Sequence, residues 1–145
     1  MPLTAYTKGI LGDALCDESN VADLEIENAL SKGISNTLAK TANYTLAAAD
    51  SGLDVTVDTS GGAVVFTLPS TVLGLTFTVS VVGIGSAVNL SPAAADNIQG
   101  GSLAPGDDKD FILATPAVGD FITVIADGAV GWKVTAIGGT WTGEA

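Results

Sequence analysis

The stretch Leu53–Val81 reads LDVTVDTSGGAVVFTLPSTVLGLTFTVSV, and its pattern decides the fold class. Leu53, Val55 and Val57 alternate with Asp54, Thr56 and Asp58, the two-residue period of a strand with one buried and one wet face. Gly61-Gly62 then turns the chain, and the more continuously apolar Val64–Leu68 stops at Pro69. Leu75, Phe77, Val79 and Val81 alternate in turn with Thr76, Thr78 and Ser80. The run ends at Gly83-Ile84-Gly85-Ser86, from which a hairpin into Ala87–Ser91 is expected.

The same texture extends in both directions. Upstream, Tyr44–Ala47 opens the series and Asp50-Ser51-Gly52 breaks it. Downstream, residues 92–108 carry Asn97, Gly100, Gly101, Pro105 and Gly106 and read as a long irregular connection, long enough to cross between sheets. Strands resume at Phe111–Thr115, at Phe121–Ile125 and, after Asp127-Gly128 and Gly131, at Trp132–Ile137, with Gly138-Gly139 and Trp141 closing the chain. No strand–helix alternation is visible, which excludes an α/β design. The expectation is an all-β module over residues 41–145, a β-sandwich or jelly roll of seven or eight strands.

Residues 1–40 have a different character and are assigned to an N-terminal arm. They hold three of the five lysines, Lys8, Lys32 and Lys40, and a run of acids between Asp13 and Glu27. From Asn20 to Ser31 a short helix and an extended segment fit equally well, because Ala22, Leu24 and Ile26 also alternate with Asp23, Glu25 and Glu27.

Composition removes whole classes of chemistry. The 145 residues include no histidine, so there is no Ser-His-Asp triad, no Cys-His pair and no imidazole metal ligand or proton carrier. Sixteen acidic residues against five basic ones, all lysine, give a formal charge of −11, which argues against nucleic acid as a partner. Mean hydropathy is high at +0.46, and residues 59–95 carry no charge. Threonines, Pro69, Pro92 and five glycines nevertheless cut that run into pieces shorter than the ~20 apolar residues of a spanning helix, so no membrane partner is expected. The first residues lack the pattern of a secretion signal, and synthesis in a cytoplasm is the expectation. The single cysteine, Cys16, has no intrachain partner and no lysine within seven residues, and reads as an inert small hydrophobe.

The remaining constellations have stronger bland readings than functional ones. Asp107, Asp108 and Asp110 could offer hard oxygen ligands to calcium, but the chain runs directly into Phe111-Ile112-Leu113 and a solvated turn explains them. Asp54 and Asp58 share a strand face at about 13 Å, beyond the spacing of a glycosidase carboxylate pair. Gly83-Ile84-Gly85 lacks the following helix and lysine of a phosphate loop. Trp132 and Trp141, with Tyr6 and Tyr44, could stack a sugar ring, although core or subunit-interface packing is the commoner use of such rings. No catalytic residue, metal or cofactor is expected.

A resemblance adds a role to this outline. Thr41-Ala42-Asn43-Tyr44-Thr45-Leu46, Ala49-Asp50-Ser51-Gly52 and Gly62-Ala63-Val64-Val65-Phe66-Thr67-Leu68-Pro69 resemble the opening of a β-rich module of tailed-bacteriophage virion proteins. Gly119–Gly128 followed by Trp132-Lys133-Val134 is similar to that module's final hairpin, so the likeness spans roughly residues 41–142. Within that group the chain most resembles the capsid decoration, or cement, proteins. The resemblance implies a homotrimer bound to the major capsid protein on the outside of the head, with no active site. Together with composition it implies contacts to capsid or neighbouring subunits through Leu3, Tyr6, Lys8, Ile10, Leu11, Val21, Leu24 and Ile26 of the arm, and through Trp132 or Trp141 near an interface. Tail-fibre and appendage proteins carry similar modules, so binding of host-surface glycans stands as the alternative, with a glycan-active enzyme behind it.

Overall fold

The computed structural model describes residues 36–100, 109–129 and 131–144. They form eleven strands: β1 (Thr37–Lys40), β2 (Tyr44–Thr45), β3 (Asp54–Asp58), β4 (Val64–Thr67), β5 (Thr76–Gly83), β6 (Val88–Ser91), β7 (Asn97–Gln99), β8 (Phe111–Leu113), β9 (Phe121–Ala126), β10 (Gly131–Gly138) and β11 (Trp141–Gly143). Six make one sheet in the order β1-β3-β5-β9-β10-β7, and five make a second in the order β11-β8-β6-β4-β2. The two-sheet sandwich is the architecture that the alternation indicates. The strand count of seven or eight is corrected to eleven, because β1, β7 and β11 are only four, three and three residues long and too short to show a period. The compact β unit begins at Asn36, so β1 is built from the last four residues of the segment read as an arm.

Pairing differs from expectation more than architecture does. From β1 to β6 the chain changes sheet after every strand, and each strand lies parallel to the one that preceded it in the same sheet: β1, β3 and β5 in one, β2, β4 and β6 in the other. The chain therefore winds through three stacked rungs, as in β-solenoids, rather than through hairpins. The expected hairpin between β5 and β6 does not form, since β6 lies in the opposite sheet and pairs in parallel with β4. Neither Gly83 nor Gly85 has the positive φ that a two-residue hairpin turn requires, and the segment serves as a corner between sheets. A jelly roll, antiparallel throughout, does not describe these sheets. Only after the rungs does antiparallel pairing take over, with β9 on β5, β10 on β9, β8 on β6 and β11 on β8. The described part of the 92–108 connection crosses between sheets, since β6 belongs to the smaller sheet and β7 lies in the larger one, parallel to β10.

Winding aligns like residues in rows. In the larger sheet Leu38, Val55, Val79 and Ile122 lie side by side, as do Phe77, Val124 and Val134. In the smaller sheet Val64, Val88, Leu113 and Trp141 form one row, and Tyr44, Phe66, Leu90 and Phe111 another. All but Leu38 and Tyr44, which sit on the edge strands, are buried. Each fully buried aliphatic or aromatic side chain contributes about 1.5–3 kcal/mol, so these rows account for most of the force holding the sheets face to face.

The corners are stitched where they stack. Thr59, the buried polar residue among those described, donates its backbone N–H to the Gly83 carbonyl at 3.0 Å. Its hydroxyl oxygen accepts the Ser86 N–H at 3.2 Å. A Cβ on Gly85 would fall 2.5 Å from the Thr59 carbonyl oxygen, so the third corner closes on the second only through glycine.

Candidate functional site

Of the ten residues expected to make contacts, Leu3, Tyr6, Lys8, Ile10, Leu11, Val21, Leu24 and Ile26 lie outside the described residues. The two tryptophans are placed clearly. Trp132 is fully buried, lies opposite Ala126 and Ile98 in register, and packs its ring 5.5 Å from that of Phe77. Its indole N–H finds no acceptor. Trp141 is 5% exposed and donates its indole N–H to the Gly138 carbonyl at 3.0 Å. Both rings therefore complete the core of their own chain.

The acidic residues do not converge. Asp54 accepts the Ser80 hydroxyl at 2.7 Å, while Asp58 lies beyond a register shift and accepts the Ser60 N–H at 2.9 Å. Those bonds from Ser60 hold the Asp58 carboxyl below the ordinary carboxylate value. Asp110 accepts the Asn89 amide at 3.4 Å, and its neighbours Asp107 and Asp108 lie outside the described residues. No group of three or more potential metal ligands occurs among the described residues. At the first rung, Lys40 places its ammonium 3.5 Å above the Tyr44 ring, and the Tyr44 hydroxyl donates to Asp50 at 3.1 Å. Asp50 also accepts the Ala47 N–H at 2.9 Å, so the trio closes the turn after β2. Accepting that bond and bearing a charge nearby, Asp50 raises the Tyr44 pKa above its ordinary value, with a contribution from desolvation.

What the alternation did not reveal is where apolar side chains reach solvent. Val82, Ile84 and Val118 are 53%, 56% and 67% exposed. They sit on adjoining segments at one end of the sandwich, because Val81 donates its N–H to the Asp120 carbonyl at 2.8 Å and Gly119 donates to the Val81 carbonyl at 3.0 Å. Between Ile84-Gly85 and Ala114-Thr115-Pro116 lies an open cleft of about 300 Å³. Asp58 and Asp120 border this end, Asp58 through its pairing with Gly83 and Asp120 through a bond from the Ala117 N–H at 2.8 Å. At the other end of β5, Val72 and Leu73 are also exposed, with Leu73 against Gly128. One signal was available in the sequence: wet-face positions 76, 78 and 80 carry hydroxyls, and position 82, next on that face, carries valine.

No helix among the described residues is long and apolar enough to cross a membrane. No protein-family model matches the chain, and no characterised protein matches it in sequence.

Proposed function

We propose that the protein is a structural component of a phage virion: a trimeric decoration protein that binds the major capsid protein on the outer surface of the head and stabilises the shell. The observation that carries this reading is the exposure of Val72, Leu73, Val82, Ile84 and Val118 at the two ends of a well-filled β-sandwich. Exposed aliphatic clusters on an otherwise closed domain mark surfaces that are covered in an assembly. A net charge of −11 keeps the remaining surface soluble. The sequence resemblance over residues 41–142 supports a virion as the assembly. Of the rings that could stack a sugar for the glycan-binding alternative, Trp132 and Trp141 are committed to the core, Tyr44 has one face under the Lys40 ammonium, and Tyr6 lies outside the described residues. The proposed role includes no catalytic step, metal or cofactor.

Light scattering on the purified protein tests the assembly, with a stable trimer at micromolar concentration as the expected result and a monomer as the opposing one. Electron microscopy of the parent virion tests the location, since this reading requires density for the protein on the outer face of the head.

A further inference from the structure

We infer that the end of the sandwich bearing Val82, Ile84 and Val118 is a docking surface for a polypeptide segment that presents aliphatic side chains flanked by lysine or arginine. The inference draws on one of the two exposed clusters that also support the capsid reading, and its test needs no capsid, so the two can fail independently. Single exposed aliphatic residues are ordinary on any protein and need no explanation. Three that are each more than half exposed, on adjoining segments beside a cleft of about 300 Å³, form a receptive patch. The backbone beneath is fixed before any partner arrives. Thr59 ties the corner at Ser60–Gly62 to that at Gly83–Ser86, and Asp120 holds the loop carrying Val118 through the Ala117 N–H. A preformed surface spends little ordering entropy on binding.

Charge selects the occupant. Asp58 and Asp120 border the patch, and the hydrogen bonds that hold Asp58 keep it ionised. Lys40, which ends β1 in register with Val57, has its ammonium over the Tyr44 ring. A second copy would bring the same acidic border and a charge of −11, so like charges oppose self-association through this face. A segment with an aliphatic centre and cationic flanks satisfies both the patch and its border.

The test uses the full-length protein labelled with nitrogen-15 and a capped synthetic peptide with a central Leu-Val-Leu flanked on both sides by paired lysines. Amide shifts are expected at residues 81–86 and 114–121. The matching peptide with glutamate flanks should bind at least tenfold more weakly. Ile84→Ser and Val118→Ser, both at exposed positions that leave the core intact, should each lower affinity about tenfold, the loss typical of removing an anchor worth about 1.4 kcal/mol. Asp58→Asn should lower it severalfold and flatten its dependence on salt. Absence of shifts with the lysine peptide, shifts centred elsewhere, or equal binding of the glutamate peptide overturns the inference. So does a concentration-dependent shift of the same amides without peptide that Ile84→Ser abolishes, since that assigns the face to a second copy.

Discussion

Thr59→Val is the substitution that asks most directly whether stacked corners hold the rungs in register. Valine has nearly the shape of threonine, so packing at this fully buried position changes little. The Gly83 carbonyl loses the hydroxyl, a long contact at 3.3 Å, but keeps the Thr59 N–H at 3.0 Å, and this loss costs little. The Ser86 N–H is different, because the Thr59 hydroxyl oxygen is the acceptor it uses at 3.2 Å. A buried donor left without a partner costs about 1–3 kcal/mol, and the part-buried Ser86 N–H does not exceed the middle of that range. Taking about 2 kcal/mol, the urea midpoint falls with an unchanged slope, and Tm drops by about 8 °C for a unit of this size. Protection of the Ser86 amide against hydrogen exchange falls about 30-fold by the same free energy. Thr59→Ser keeps the acceptor and loses one methyl, so it should lose about 1 kcal/mol of stability while the Ser86 amide stays protected. If Thr59→Val leaves both Tm and Ser86 protection at parental levels, the corner stitch does not hold the rungs and the reasoning fails.

Further outcomes follow from the same geometry. Gly131→Ala should cost several kcal/mol or prevent folding, because Gly131 has φ near +149° and an added Cβ would overlap the Asn97 backbone across the β7–β10 pair; urea denaturation measures it, and parental stability refutes it. Trp132→Phe removes a buried indole N–H that has no acceptor, so it should cost less than the roughly 3–5 kcal/mol expected of Trp132→Ala, with calorimetry comparing the two. Stability should depend on pH in two windows. The lowered Asp58 pKa contributes stability that is present above the ordinary carboxylate value and lost as pH falls through the folded value, and Asp58→Asn should flatten that acid limb. The raised Tyr44 pKa contributes stability that is complete below the ordinary tyrosine value and lost as pH rises through the folded value, so Tyr44→Phe should flatten the alkaline limb.

Face, but not partner, is what a two-residue alternation encodes. Val55 and Val57 point inward whether β3 pairs with a hairpin neighbour or with a strand one rung away, so the wet and dry faces of β3 and β5 were legible, while the parallel winding was not, and β9, apolar on both faces at Phe121, Ile122, Val124 and Ile125, left its buried face open. The winding did leave a trace. At a separation of 24 residues the sequence repeats Val55 as Val79, Val57 as Val81, Gly61 as Gly85, Ala63 as Ala87 and Val64 as Val88, and the paired valines are neighbours in the sheets. A fixed offset of that kind is the signature of stacked rungs, each of which contacts chiefly the next. It runs through only two of the three rungs, because β1 and β2 belong to a shorter turn of chain, and two copies seldom stand out from the background of a Val- and Gly-rich sequence.

The tryptophans show the converse limit. Residue type favoured packing of Trp132 and Trp141 over sugar stacking, yet no pattern in the chain distinguishes burial in one's own core from burial against a neighbour. Their placement depends on β7 and β11, the three-residue strands that alternation is too coarse to detect: Trp132 lies opposite Ile98 of β7, and Trp141 belongs to β11 itself. Once those strands form, the rings have no free face to offer. The apolar surface left for a partner then falls to side chains that break the alternation, such as Val82, or that sit in corners with no period at all, such as Ile84 and Val118. A binding surface on a rung-built sandwich is therefore to be sought at its corners. There the chain must turn between sheets and backbone geometry, rather than core packing, dictates which residues are exposed.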